Sequence, residues 1–115
     1  MNRDHRVEYV EVGALAEVQN APSASIVAIT TGAVAIFNVD GILFGIADAC
    51  LRCGGSLASG RQHGPSIQCR GCGWSYDLAS GRVHGVGLLY ADTYFVKVEG
   101  GRVSVAALPS LPAAG

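Results

Sequence analysis

Cys50-Leu51-Arg52-Cys53-Gly54-Gly55-Ser56-Leu57 and Cys69-Arg70-Gly71-Cys72-Gly73-Trp74-Ser75-Tyr76-Asp77 decide how this chain is read. Two residues separate the cysteines within each pair, fifteen separate the pairs, and glycine follows each pair. Two intervening residues let a tight turn aim both sulfurs at one point. The glycine lets backbone N–H groups approach them with no Cβ in the way. A paired Cys-x-x-Cys pattern at this separation is a metal-site signature, which makes Cys50, Cys53, Cys69 and Cys72 the candidate ligands. Read as unligated core thiols, or as one disulfide, they leave the glycine- and arginine-rich stretch Cys50–Gly85 with no reason to be ordered. A metal joining the two loops supplies one, because closing them removes entropy from the unfolded chain and binding contributes folding energy directly.

Outward from these loops, strand signals dominate. Val7–Val12 alternates Val-Glu-Tyr-Val-Glu-Val, and Ser25–Thr30 is short, apolar and β-branched. Asp40-Gly41 sits between Ala33–Val39 and Ile42–Ala47, a strong two-residue hairpin signal, and Gly100-Gly101 sits likewise between Tyr94–Glu99 and Arg102–Ala106. Gly13–Val18 has room for one helical turn, too short to matter by itself. The expected fold is all-β, in one domain over 1–108, with a loop-rich metal-binding subdomain at about 48–85 and a flexible tail at 109–115.

Composition narrows the function. The chain has 115 residues, 50% hydrophobic and 15% charged, which suits one domain; a chain of this size buries roughly two thirds of its unfolded surface. A formal net charge of −1 argues against non-specific nucleic-acid binding. No apolar run reaches the ~18 residues of a membrane span, and the polar Met1–Arg6 start does not read as a signal peptide. The expected compartment is the cytoplasm, where thiols stay reduced. Arg3 and Arg6 against Asp4, Glu8, Glu11, Glu17, Asp40 and Asp48 leave residues 1–49 at −4, whereas Arg52, Arg61, Arg70 and Arg82 against Asp77 leave residues 50–85 at +3. All four cysteines lie in the positive stretch, whose arginines either stabilise a thiolate centre or are simply solvated. There is no nucleophile–base pair and no phosphate-cradling loop, and four thiolates leave no open coordination position. The expectation is therefore a protein that is not an enzyme.

The same residues resemble the small Rieske-type ferredoxins and Rieske domains of bacterial oxygenase systems, over roughly Val7 to Val105. That family places Cys-x-His-x-Gly-x-x-Leu in its first loop and Cys-x-x-His-Gly-Trp in its second, followed by an aromatic residue, Asp and a Gly-ended turn. Cys50, Gly54 and Leu57 fall on the first loop; Cys69, Gly73, Trp74, Tyr76, Asp77 and Gly81 fall on the second. Both histidine positions depart, one being Arg52 and the other Cys72. Arg52 stays protonated and cannot ligate a metal. Cys72 can replace histidine directly, and Cys53, one residue later than the first histidine position, can complete the set. His5, His63 and His84 are read as solvated or hydrogen-bonded, and Trp74 and Tyr76 as packing over the metal unit.

The resemblance implies a Rieske-like, iron–sulfur-protein-type sandwich with a rubredoxin- or zinc-ribbon-like metal subdomain. The first reading is a one-electron carrier with a 2Fe–2S cluster, Cys50 and Cys69 on the inner iron, Cys53 and Cys72 on the outer. It would serve a reductase and an oxygenase-type acceptor, docking through Arg52 and Arg70 at the loop tips. Exchanging imidazoles for thiolates would move the potential from about −150 to +300 mV towards about −400 mV and remove its pH dependence. The alternative is a non-redox binding or scaffold protein, alone or in a host complex, in which the four cysteines hold one structural zinc or a single rubredoxin-like iron.

Overall fold

Asp40 and Gly41 both have positive φ, 51° and 88°, and so do Gly100 and Gly101, at 58° and 75°. Two consecutive left-handed residues make the turn whose twist matches that of the strands it joins, so each pair closes a tight hairpin. The computed structural model describes residues 8–21 and 24–110. Within them run β1 (Tyr9–Ala14), a short helix α1 (Leu15–Asn20), β2 (Ser25–Ile29), β3 (Gly32–Val39) and β4 (Ile42–Ala47). After a 3-10 turn at Leu57–Ser59 come β5 (Arg61–His63), β6 (Ser66–Gln68), β7 (Ser75–Asp77), β8 (Thr93–Tyr94), β9 (Val96–Glu99) and β10 (Arg102–Ala106). They form three antiparallel sheets, ordered β1-β10-β9, β2-β3-β4-β8 and β5-β6-β7. This is the expected all-β architecture. No helix among the described residues is long and apolar enough to cross a membrane.

Strand β3 explains how the cysteine loops are seated. Val34, Ala35, Ile36 and Phe37 are all buried, yet alternation sends them to opposite faces. Val34 and Ile36 join Val18, Tyr94, Val103 and Val105 between the two larger sheets. Ala35 and Phe37 join Ile46, Leu57, Ile67, Tyr76, Leu78 and Val83, with Cys50 and Cys69, beneath the cysteine loops. One central strand thus supports two apolar cores.

Three expectations are corrected. The strand expected at Val7–Val12 lies at Tyr9–Ala14 among the described residues, Val7 falling outside them, and its register shifts between Glu11 and Gly13. The strand expected at Tyr94–Glu99 breaks at Phe95: β8 pairs with β4, whereas β9 pairs with β10. Phe95 still accepts a 2.9 Å hydrogen bond from Ala106 N–H, so the break is the corner where the chain passes from one sheet to the other. The loop-rich unit contains a sheet of its own, β5-β6-β7, whose three-residue strands are too short to show alternation in sequence. Of the expected tail, Ser110 N–H donates to Thr93 O at 2.7 Å, and residues 111–115 lie outside those described, as does His5.

Candidate metal centre

The two cysteine loops are closed by the same backbone bonds. Gly54 N–H donates to Cys50 O and Gly73 N–H to Cys69 O, each at 2.9 Å; Cys50 N–H donates to Gly55 O at 2.8 Å and Cys69 N–H to Trp74 O at 2.7 Å. Gly54 and Gly73 occupy the same left-handed position, with φ of 77° and 85°. The first loop is also anchored from below. The Asp48 carboxylate accepts from Ser56 Oγ at 3.0 Å and Ala58 N–H at 2.8 Å, and Leu57 N–H donates to Asp48 O at 2.7 Å. Leu57 and Ile67 then bury completely under the loops.

This framework brings Cys50, Cys53, Cys69 and Cys72 together, with all four Sγ atoms within 4.8 Å of one another. Cys50 and Cys72 stand 3.6 Å apart, Cys53 and Cys69 3.5 Å apart. A tetrahedron of thiolates on metal–sulfur bonds of about 2.3 Å has an edge of about 3.8 Å, so the donor set fits a metal ion. Cys50 and Cys69 are buried, Cys72 is half-buried and Cys53 is exposed. One side of the group therefore rests on the core and the other meets solvent. Neither His63 nor His84 belongs to the cluster, and both are exposed.

Tyr76 does more than the packing expected of it. Its ring is fully buried, and its hydroxyl accepts from Leu51 N–H at 2.9 Å, which leaves the phenolic proton for Cys50 Sγ at 3.2 Å. Burial pushes the Cys50 thiol up, but hydrogen bonds from the Tyr76 hydroxyl and from the backbone N–H groups of Cys53 and Arg52 outweigh it and bring the thiol down to about 6. The Trp74 N–H favours the Cys72 thiolate, but burial and the three neighbouring thiols prevail and push Cys72 up to about 11. Four close thiols cannot all ionise alone; a cation between them removes the conflict. Burial, followed by the Cys50 hydrogen bond, raises Tyr76 itself, which keeps it a donor. The sequence signal for this role was a tyrosine where phenylalanine would pack as well.

Arg52, at the position where the Rieske pattern has histidine, turns its guanidinium over the Trp74 ring, 5.6 Å from the centroid. Arg70 Nε donates to Ser59 O at 2.9 Å. Both arginines, each inside one of the two knuckles, remain exposed, and so does Leu51, at 48%.

The family model of the Rieske [2Fe-2S] domain matches residues 8–94. Among solved structures, a chain of the complex of reduced oxygenase and oxidized ferredoxin in carbazole 1,9a-dioxygenase superposes with a TM-score of 0.82 at 21% identity, over 92% of this chain and 99% of that one. The ferredoxin of Sphingomonas yanoikuyae B1 gives 0.75 at 27% identity, over 86% of this chain and 98% of that one. The terminal oxygenase of carbazole 1,9a-dioxygenase from Novosphingobium sp. KA1 gives 0.77 at 28% identity, over 95% of this chain and 32% of that one. No curated protein matches the chain in sequence.

Proposed function

The chain belongs to the Rieske [2Fe-2S] domain family, and from that premise we propose that it is a single-electron carrier, not itself a catalyst, whose redox centre is held by Cys50, Cys53, Cys69 and Cys72. It works in the cytoplasm between a reductase and an oxygenase of the kind its structural neighbours represent. We take residues 1–108 as one domain, with the centre in a subdomain at about 48–85. The observation that carries the reading is the convergence of four thiols at the exposed end of a Rieske fold.

Iron bound there supplies a one-electron couple. The protein does the rest. Buried Cys50 and Cys69 fix the centre on the core and keep water from its inner side. Cys53 and Cys72 bring it to the surface, within reach of a partner. Leu51 offers an apolar contact, and Arg52 and Arg70 add positive charge that suits an acidic docking patch. A structural zinc is the second reading, favoured by the mutual closeness of all four sulfurs, because zinc takes the same tetrahedral thiolate set.

Voltammetry and electron exchange test the carrier. The purified protein is expected to take up and release one electron per chain reversibly. Exchange with a Rieske oxygenase should slow severalfold for Arg52→Glu at low ionic strength, the gap closing as salt screens the patch. A protein with no reversible couple is not a carrier, and an unchanged Arg52→Glu rate at low salt removes Arg52 from the docking face.

A further inference from the structure

The sulfur separations bear on how many metal ions the site holds. A 2Fe–2S cluster puts two thiolates on each iron, with both sulfides between the irons. With metal–sulfur bonds of about 2.3 Å and tetrahedral angles, thiolates on different irons stand about 5.3 Å apart or more. Four thiols can be divided into two pairs in three ways, and each division requires every separation between the pairs to reach that value. Here no separation exceeds 4.8 Å. The two short contacts, Cys50 to Cys72 and Cys53 to Cys69, each join a buried thiol to a more exposed one. A cluster with the buried pair on one iron and the outer pair on the other would hold those partners apart.

The chain chemistry points the same way. An imidazole nitrogen lies at least two bonds beyond Cβ, whereas a thiol sulfur lies one bond beyond it. Replacing the outer imidazoles by Cys53 and Cys72 therefore draws the outer donors back towards the inner pair, into the space a second iron would need. Arg52 cannot fill the gap, since its side chain lies over Trp74. The backbone closes one side as well: a side chain at Gly55 or Gly71 would begin 3.3 or 3.2 Å from Cys53 Sγ and 3.8 Å from Cys69 Sγ. The matching backbone bonds of the two loops make two equivalent chelating arms, the arrangement that suits one shared ion.

We infer that Cys50, Cys53, Cys69 and Cys72 hold a single tetrahedral metal ion, so that this Rieske fold carries a one-iron, four-thiolate centre. The inference rests on the proposed reading of these cysteines as ligands of a redox metal. With a chemical reductant, ferric ion takes one electron to become ferrous, all four thiolates stay bound, and no proton moves.

The test is metal and acid-labile sulfide per chain on protein made under iron-replete conditions and on apoprotein reconstituted anaerobically with iron and sulfide, with X-ray absorption at the metal edge. One iron, no sulfide and no iron–iron scattering is the expected result and supports both the inference and the carrier. Two irons and two sulfides overturn the single ion while leaving the carrier standing. One zinc without sulfide, persisting after iron reconstitution, supports the single ion but overturns both the one-iron centre and the carrier. A folded protein that retains no metal in either preparation overturns both.

Discussion

A phenol buried away from water must find its partners in the protein, and Tyr76 finds both in the first cysteine loop. It accepts from Leu51 N–H and donates to Cys50 Sγ, tying the first loop to the floor beneath it. A hydrogen bond to a metal thiolate strengthens as the centre gains negative charge, so it favours the reduced state and raises the potential. If reduction strengthens it by about 1 kcal/mol, the shift is about 40 mV for one electron. Tyr76→Phe should therefore lower the midpoint potential by some tens of millivolts, read by voltammetry. It should also cost about 1–3 kcal/mol of stability for the stranded Leu51 N–H, read by denaturant titration. A Tyr76→Phe protein with unaltered potential would reduce Tyr76 to a strut.

At the level of elements, the turn after β7 joins the β5-β6-β7 sheet to the segment that leads into the main sheet. Asp77 Oδ2 accepts from Ser80 N–H at 3.0 Å and Ser80 Oγ at 2.8 Å, and Gly81 N–H returns to Asp77 O at 2.7 Å. Gly81 then accepts from Ala91 N–H at 2.8 Å, pulling the segment before β8 against the turn. Its φ is 81°, and a side chain there would collide with Ala91 O and press on Thr93 Cγ2. Gly81→Ala combines left-handed strain with overpacking, each worth about 1–3 kcal/mol. A stability loss of about 2 kcal/mol or more by thermal or chemical unfolding is expected, and a loss below about 0.5 kcal/mol would show that the turn yields freely.

For the whole molecule, the two cores on either face of β3 should depend unequally on a metal held by the four cysteines. The core around Val34, Ile36, Val103 and Val105 lies between two sheets and owes the cysteines nothing. The other core includes Cys50 and Cys69 and is roofed by loops held to three-residue strands. Stripping the metal with a chelator should raise amide hydrogen exchange across 50–85 by at least tenfold while β3 and β10 stay protected, because metal binding stabilises only the unit that it closes. Equal protection with and without metal would mean that the subdomain stands on apolar packing alone.

Features set by near neighbours along the chain were legible in the sequence. Asp40-Gly41 and Gly100-Gly101 fixed their hairpins because two left-handed residues permit one turn geometry, and the Cys-x-x-Cys-Gly spacing marked each knuckle and its pair of candidate ligands. Contacts between distant residues were a different matter. The tertiary structure alone decided that Cys50 faces Cys72, 22 positions away, that Cys53 faces Cys69, 16 away, and that Tyr76 reaches Cys50 across 26. It also decided the break at Phe95, since a continuous run of strand-forming residues carries no mark of which sheet will claim each half. Local rules govern the few dihedrals within a turn, whereas these outcomes depend on which apolar faces must be buried together, and that is settled only when the whole chain packs.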